Sequence, residues 1–237
     1  MTLLGALVVS ALGWGSPLPA ETQAQDASAE VSRTLDAARN EIAAYKTAGG
    51  ASGTADHPAI KWDAALWAYR EKYPRSDAAT LASAEAVRLL IRAELWERAQ
   101  TRVDALDADD AAWERVASAV YEMGIARKDV PFSIDKLSRI VAATTNARIK
   151  GSALLVLGRA YRRQGNSDAA VRSFEASKAA APGTPYAVDA DGLLYEIKHL
   201  SPGLPAPPIS GTARSGRAVT LDGFRGKAVV LVFWGTT

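Results

Sequence analysis

The sequence predicts a mainly α-helical chain, an array of helices, whose last thirty residues turn to β structure. Three observations carry this. Apolar residues recur at steps of three and four through most of the chain, which is the spacing of one helix face. A proline-rich stretch, residues 201–208, then breaks the helical pattern. Beyond it, two short extended stretches, Ile209 to Ala213 and Arg217 to Leu221, flank a Ser215-Gly216 turn signal. An uncharged β-branched run, Ala228 to Trp234, follows and suits a strand buried on both faces of a sheet.

The extreme N-terminus, residues 2–14, is uncharged and apolar, and gives way to Gly15-Ser16-Pro17 and small residues. It is too short to span a bilayer stably and has the length of a secretory h-region, with Ala20 or Ala24 as cleavage points. The first basic residue is Arg33, so the usual charged start is missing. The expectation is a signal peptide over residues 1–24 and a periplasmic protein, or an uncleaved segment that holds it at the membrane. No cysteine is present to carry a lipid anchor.

Residues 26–200 read as one helical domain. Val31, Leu35, Ala38, Ile42 and Tyr45 form the stripe of a first helix, ended by Gly49-Gly50. Pro58 opens a second, with Ile60, Ala64 and Trp67 on one face, stopping before Pro74. Ser76 or Asp77 caps a third carrying Leu81, Val87, Leu90 and Ile91; it runs on through Trp96 or breaks near Glu94. Asp109-Asp110 starts the next, with Trp113, Val116, Val120 and Met123 at helical spacing and acids at the favourable end of the dipole. Pro131 opens a short helix with Ile134, Leu137 and Val141, and Tyr186 to Leu200 forms a last one.

Residues 151–184 are the most informative. Leu154, Leu157, Gly158 and Tyr161, then Ala170, Phe174 and Pro182, reproduce the 34-residue tetratricopeptide pattern at the right offsets, with Leu154 in place of tryptophan. Gly158 and Ala170 are small where two helices cross, Gly165-Asn166 turns the chain, and Ser167 can cap the return helix. Weaker echoes lie at Trp67-Ala68-Tyr69 with Tyr73-Pro74, and over Trp96 to Leu106. The expectation is a tetratricopeptide-like array with one clear repeat, since single repeats cannot bury their own faces. An irregular bundle is the alternative. Residues 201–208 then form a stiff linker, because prolines fix φ and remove amide donors.

The tail resembles the start of the redoxin domain of TlpA/ResA-like thiol-disulfide oxidoreductases, with the AhpC/TSA peroxiredoxins close behind. The matching residues are Pro205-Ala206-Pro207, Gly216, Val219, Leu221, Phe224, Gly226-Lys227, Val230, Phe233-Trp234 and Thr236. Gly235, Thr237 and Pro208 depart from the family pattern. The resemblance implies that residues 209–237 are the β-hairpin and first core strand of a thioredoxin-like α/β domain. It places a Cys-x-x-Cys just past Thr237, at a helix N-terminus where the dipole favours a thiolate. It also implies that the segment in hand carries no catalytic residue, with Phe233 and Trp234 as packing residues.

Composition narrows the rest. The net charge of +2 comes from 28 basic and 26 acidic residues without a basic block, which gives no support to nucleic-acid binding. With no cysteine and only His57 and His199, no metal or cofactor site is expected, and each histidine reads as a surface or helix-end residue. Trp62, Trp67, Trp96 and Trp113 read as helix-packing anchors. Asp63 with Glu71, and Asp107 with Asp109-Asp110, read as carboxylates on solvated faces or at helix starts. Arg162-Arg163 and Lys178 read as solvated charge.

The functional expectation is the front part of an exported thiol-disulfide oxidoreductase, acting on protein thiols or disulfides or drawing on a membrane thiol reductant. The alternatives are a periplasmic scaffold that holds a protein partner on its helical array, and a peroxidase of the redoxin superfamily.

Overall fold

The computed structural model describes residues 20–232. The apolar stretch 2–14, and with it the export expectation, lies outside them, as do Phe233 and Trp234. Within them the chain is mainly helical: α1 (Ala20–Thr47), α2 (Ala59–Trp67), α3 (Tyr69–Lys72), α4 (Asp77–Arg92), α5 (Trp96–Asp104), α6 (Trp113–Ala126), α7 (Val130–Ala143), α8 (Ala147–Arg163), α9 (Ser167–Ala180) and α10 (Pro185–His199). Two short strands follow, β1 (Ser210–Thr212) and β2 (Ala218–Thr220), then a 3-10 turn, Leu221–Phe224. Among the described residues, no helix is long and apolar enough to cross a membrane.

Helix ends explain the layout. Four helices stop on a residue in the left-handed region: Gly49 after α1, Glu94 after α4, Lys128 after α6 and Gly165 after α8. In each case the next amide reaches back five residues to a carbonyl of the last turn: Gly50 to Tyr45, Leu95 to Leu90, Asp129 to Gly124 and Asn166 to Tyr161, at 2.7–2.9 Å. This satisfies carbonyls the helix leaves open and reverses the chain. After the turn, Asp129 and Asn166 accept amide hydrogens of the following helix and start it. Three consecutive hairpins result, α4–α5, α6–α7 and α8–α9. The longer helices α4, α6 and α8 pack side by side, with α2 and α1 on one flank and α10 on the other.

The apolar interior falls into three clusters. The largest joins Val87, Leu90, Trp113, Val120, Met123 and Leu137. A second binds α1, α2 and α4 through Val31, Leu35, Leu66 and Leu89. A third, around Phe174 and Leu194, seats α10 on α8 and α9. Trp67 and Leu95 border both the first and second clusters, and Tyr161 both the first and third. Gly158 sits where α8 and α9 cross: a Cβ there would lie 2.4 Å from the Phe174 ring, so only hydrogen fits.

Several sequence expectations need correcting. The buried face of α2 is Ala59, Asp63 and Leu66, while Ala64 is exposed and Ile60 and Trp67 are half-buried. The stripe was misplaced because a carboxylate occupies the core side. The helix at Pro131 is a full 14 residues rather than short. Asn166, not Ser167, caps α9, its side chain accepting from the Ala169 amide at 3.1 Å. The echo at Trp67–Pro74 falls on the α2–α3 junction and not on a helix hairpin.

The β-hairpin has the expected turn, with Gly211 opposite Val219. The Leu221 amide bonds to Ile209 O at 2.9 Å, which carries the pairing to both expected ends. The run from Ala228 is not a buried strand. Its described residues, 228–232, join no ladder and are exposed, because no neighbouring strand supplies hydrogen bonds. Their exposure alternates: Val230 and Val232 are 86% and 75% exposed, Val229 and Leu231 42% and 49%. Val229 and Leu231 border, with Ile209, Val219 and Phe224, an apolar hollow of about 320 Å³.

The hairpin packs closely on its own 3-10 turn rather than on the helices. Deleting residues 204–237 is therefore expected to leave the helical circular dichroism signal and its thermal midpoint almost unchanged. Loss of the helical signal would show that the helices depend on the tail.

Candidate functional site

Among the described residues, the feature most unlike plain packing lies between α1 and α4. Arg39, Ile42, Ala43 and Lys46 fall at steps of three and one along α1, which puts them on one face. Leu89, Arg92 and Ala93 come from the end of α4, and His57 from the loop before α2. Together they line a cavity of about 240 Å³. His57 is 2% exposed, against the expectation of a surface residue. Its ring meets Tyr45 edge-on at 4.9 Å, and its Nδ1 accepts the Ala59 amide hydrogen at 3.1 Å.

That hydrogen bond decides the tautomer. A ring nitrogen that accepts carries no proton, so in neutral His57 the proton is on Nε2. Nε2 is buried and has no partner. An unpaired buried donor costs about 1–3 kcal/mol, which makes it the exception in a well-satisfied structure. Burial pushes His57 below its ordinary pKa and the Lys46 ammonium pushes it further, outweighing Asp56.

The carboxylates singled out in the sequence turn out to be structural. Asp63 is fully buried, not solvated. Arg102 grips it with two bonds, Nε at 2.8 Å and Nη2 at 3.0 Å, and Arg98 stands at 3.9 Å. The Arg102 guanidinium also lies over the Trp67 ring at 4.7 Å, with Arg70 at 5.0 Å. The pair ties α2 to α5, a role invisible to periodicity because the partners are 39 residues apart. Glu71 is exposed.

Asp107, Asp109, Asp110, Arg70 and Arg75 border a hollow of about 520 Å³, in which Asp109 and Asp110 are already engaged and Asp107 is exposed. Asp110 pairs with Arg70 and accepts the Ala112 amide. Asp109 accepts from the Thr144 and Thr145 hydroxyls and the Thr145 and Asn146 amides, clasping the loop before α8. These bonds, led by Thr144, hold its carboxyl down at about 2. Glu114 joins α6 to α8 and α10: Arg148 donates to it at 2.9 Å and the Tyr186 hydroxyl at 2.9 Å. Burial pushes Glu114 up, but these donors outweigh it and hold it below its usual range. Burial first, then Glu114, pushes Tyr186 up to about 12.

The remaining candidates stand apart. His199 is exposed at the end of α10, its ring 4.6 Å from that of Tyr195. Trp113 is fully buried and donates to Asp107 O at 3.0 Å; Trp62 donates to Glu41 at 2.9 Å; Trp96 borders the largest core. Arg162 pairs with Glu196 at 2.6 Å and Lys178 with Asp191, so this surface charge is matched across to α10. Among the described residues, no three His, Cys, Asp or Glu cluster to hold a metal ion. No protein-family model, curated protein or solved structure matches the chain.

Two outcomes test the structural roles. Arg102→Ala leaves a buried carboxylate with only the distant Arg98, and is expected to cost about 3 kcal/mol in urea unfolding. Adding Asp63→Ala to it should cost less than the two single changes together, since the pair acts as a unit. Asp109 is held below its ordinary 3.8 in the folded state, so its contribution is full above that pH and is lost as pH falls towards about 2. Asp109→Ala should therefore be less stable than the parent at neutral pH, with the difference shrinking through that window.

Proposed function

We propose that this chain is the helical front part of an exported thiol-disulfide oxidoreductase of the TlpA/ResA-like kind. The observation that carries the reading is the tail. The hairpin, its 3-10 turn and the alternating apolar run 228–232 have the order in which the tail's residues match that family, and the run's exposed β-branched face suits a strand awaiting neighbours. On this reading the dithiol lies past residue 237. The thiolate of its first cysteine attacks a substrate disulfide, forming a mixed disulfide and releasing one substrate thiolate. The second cysteine then displaces the other, leaving the enzyme oxidised and the substrate reduced.

A second reading has its own support: the helical part as a tetratricopeptide-like scaffold for a protein partner. Glu94 and Lys128, which hold equivalent left-handed turns, are 34 positions apart, and Gly165 follows at 37. Repetition of one connector at near-constant spacing is what stacked helix pairs require. The two readings are compatible, with the array presenting a partner to the redox domain. The deciding experiment is to sequence the transcript beyond the Thr237 codon and assay the encoded protein for disulfide reduction. A Cys-x-x-Cys within the next few residues and reductase activity are expected. A lone cysteine with peroxidase activity would favour the peroxiredoxin alternative, and a cysteine-free continuation would remove the enzyme and leave the scaffold.

A further inference from the structure

The cavity between α1 and α4 combines a buried donor without an acceptor and cations without balancing acids. Ile42, Ala43, Leu89 and Ala93 give it apolar walls, and none of its lining residues is acidic. Arg39 is offset by Asp36 at 3.2 Å. Lys46 and Arg92 have no ion-pair partner among the described residues, although the surface elsewhere is laced with pairs. The His57 Nε2–H faces no acceptor.

We propose that this cavity binds a small monocarboxylate with an aliphatic or aromatic tail. The carboxylate supplies the acceptor that Nε2–H lacks and the negative charge that Lys46 and Arg92 lack, in charge-assisted bonds. The tail lies against Ile42, Leu89 and Ala93. Binding in this way requires the imidazole to tilt about its Ala59 hydrogen bond and bring the buried Nε2–H to the cavity. Diacids and phosphates fit less well, because the apolar walls leave a second charge unpaired. The site is independent of the redox reading, since all its residues come from α1, α4 and the loop between α1 and α2.

The test uses the full chain labelled at the histidine nitrogens, with octanoate as the probe and octanol as the neutral control. Octanoate is expected to shift the His57 ring resonances saturably while those of His199 stay in place. Octanol should bind at least about tenfold more weakly, the order expected for loss of a charged hydrogen-bond partner. Lys46→Met and Arg92→Met, both at exposed helix positions, should each weaken octanoate roughly tenfold, leave octanol unaffected and keep the helical dichroism. Equal binding of octanol and octanoate would overturn the proposal. So would parallel shifts at both histidines, or no saturable shift at His57.

Discussion

The helical part depends on one recurrent constraint, the reversal of the chain within three residues at the ends of α4, α6 and α8. A helix leaves its last carbonyls open, and a sharp reversal leaves no room for loosely bound solvent to meet them. The left-handed residue followed by a back-reaching amide solves both problems. Glycine supplies that conformation freely at Gly49 and Gly165. Glu94 and Lys128 hold it at a cost of roughly 1 kcal/mol, which the packing of their hairpins must cover. Once the turns are set, the second helix of each pair has little choice about where it lies, and α4, α6 and α8 are brought into register.

That constraint also explains what was legible in the sequence. Stripes such as Val31-Leu35-Ala38 and Trp113-Val116-Val120-Met123 were readable because their core sides are purely apolar. The helix hairpin at residues 151–184 was readable because Gly158, Gly165 and Phe174 each admit few alternatives. At the two earlier hairpins the break near Glu94 was one of two alternatives and Pro131 marked a helix start. The turn residues themselves were hidden, since glutamate and lysine at left-handed positions look like ordinary surface charge. The α2 face was misplaced for a similar reason. Asp63 reads as polar, and nothing local announces that Arg102 will reach it from another helix.

The candidate site was less legible than the fold. A lone histidine before a helix reads as exposed, and its burial arises only when Tyr45, α1 and α4 close over it. The cavity's cations sit on two helices about half a hundred residues apart in sequence, so no window could gather them. The tail presents the opposite case. Its residues pointed to a sheet, the hairpin formed, and the apolar run stayed uncovered because a ladder needs a neighbour as well as a propensity.

Among the described residues the interior is not one core but three, touching through a few shared side chains: Trp67 and Leu95 on one side, Tyr161 on the other. Cooperativity therefore has narrow bridges to cross. Each end of the molecule can open while the middle stays closed, so local stability should fall from α6 outward rather than vanish at once. Such a body bends before it breaks. Its flanks can shift by small rotations about those aromatic and leucine contacts while every helix keeps its own hydrogen bonds.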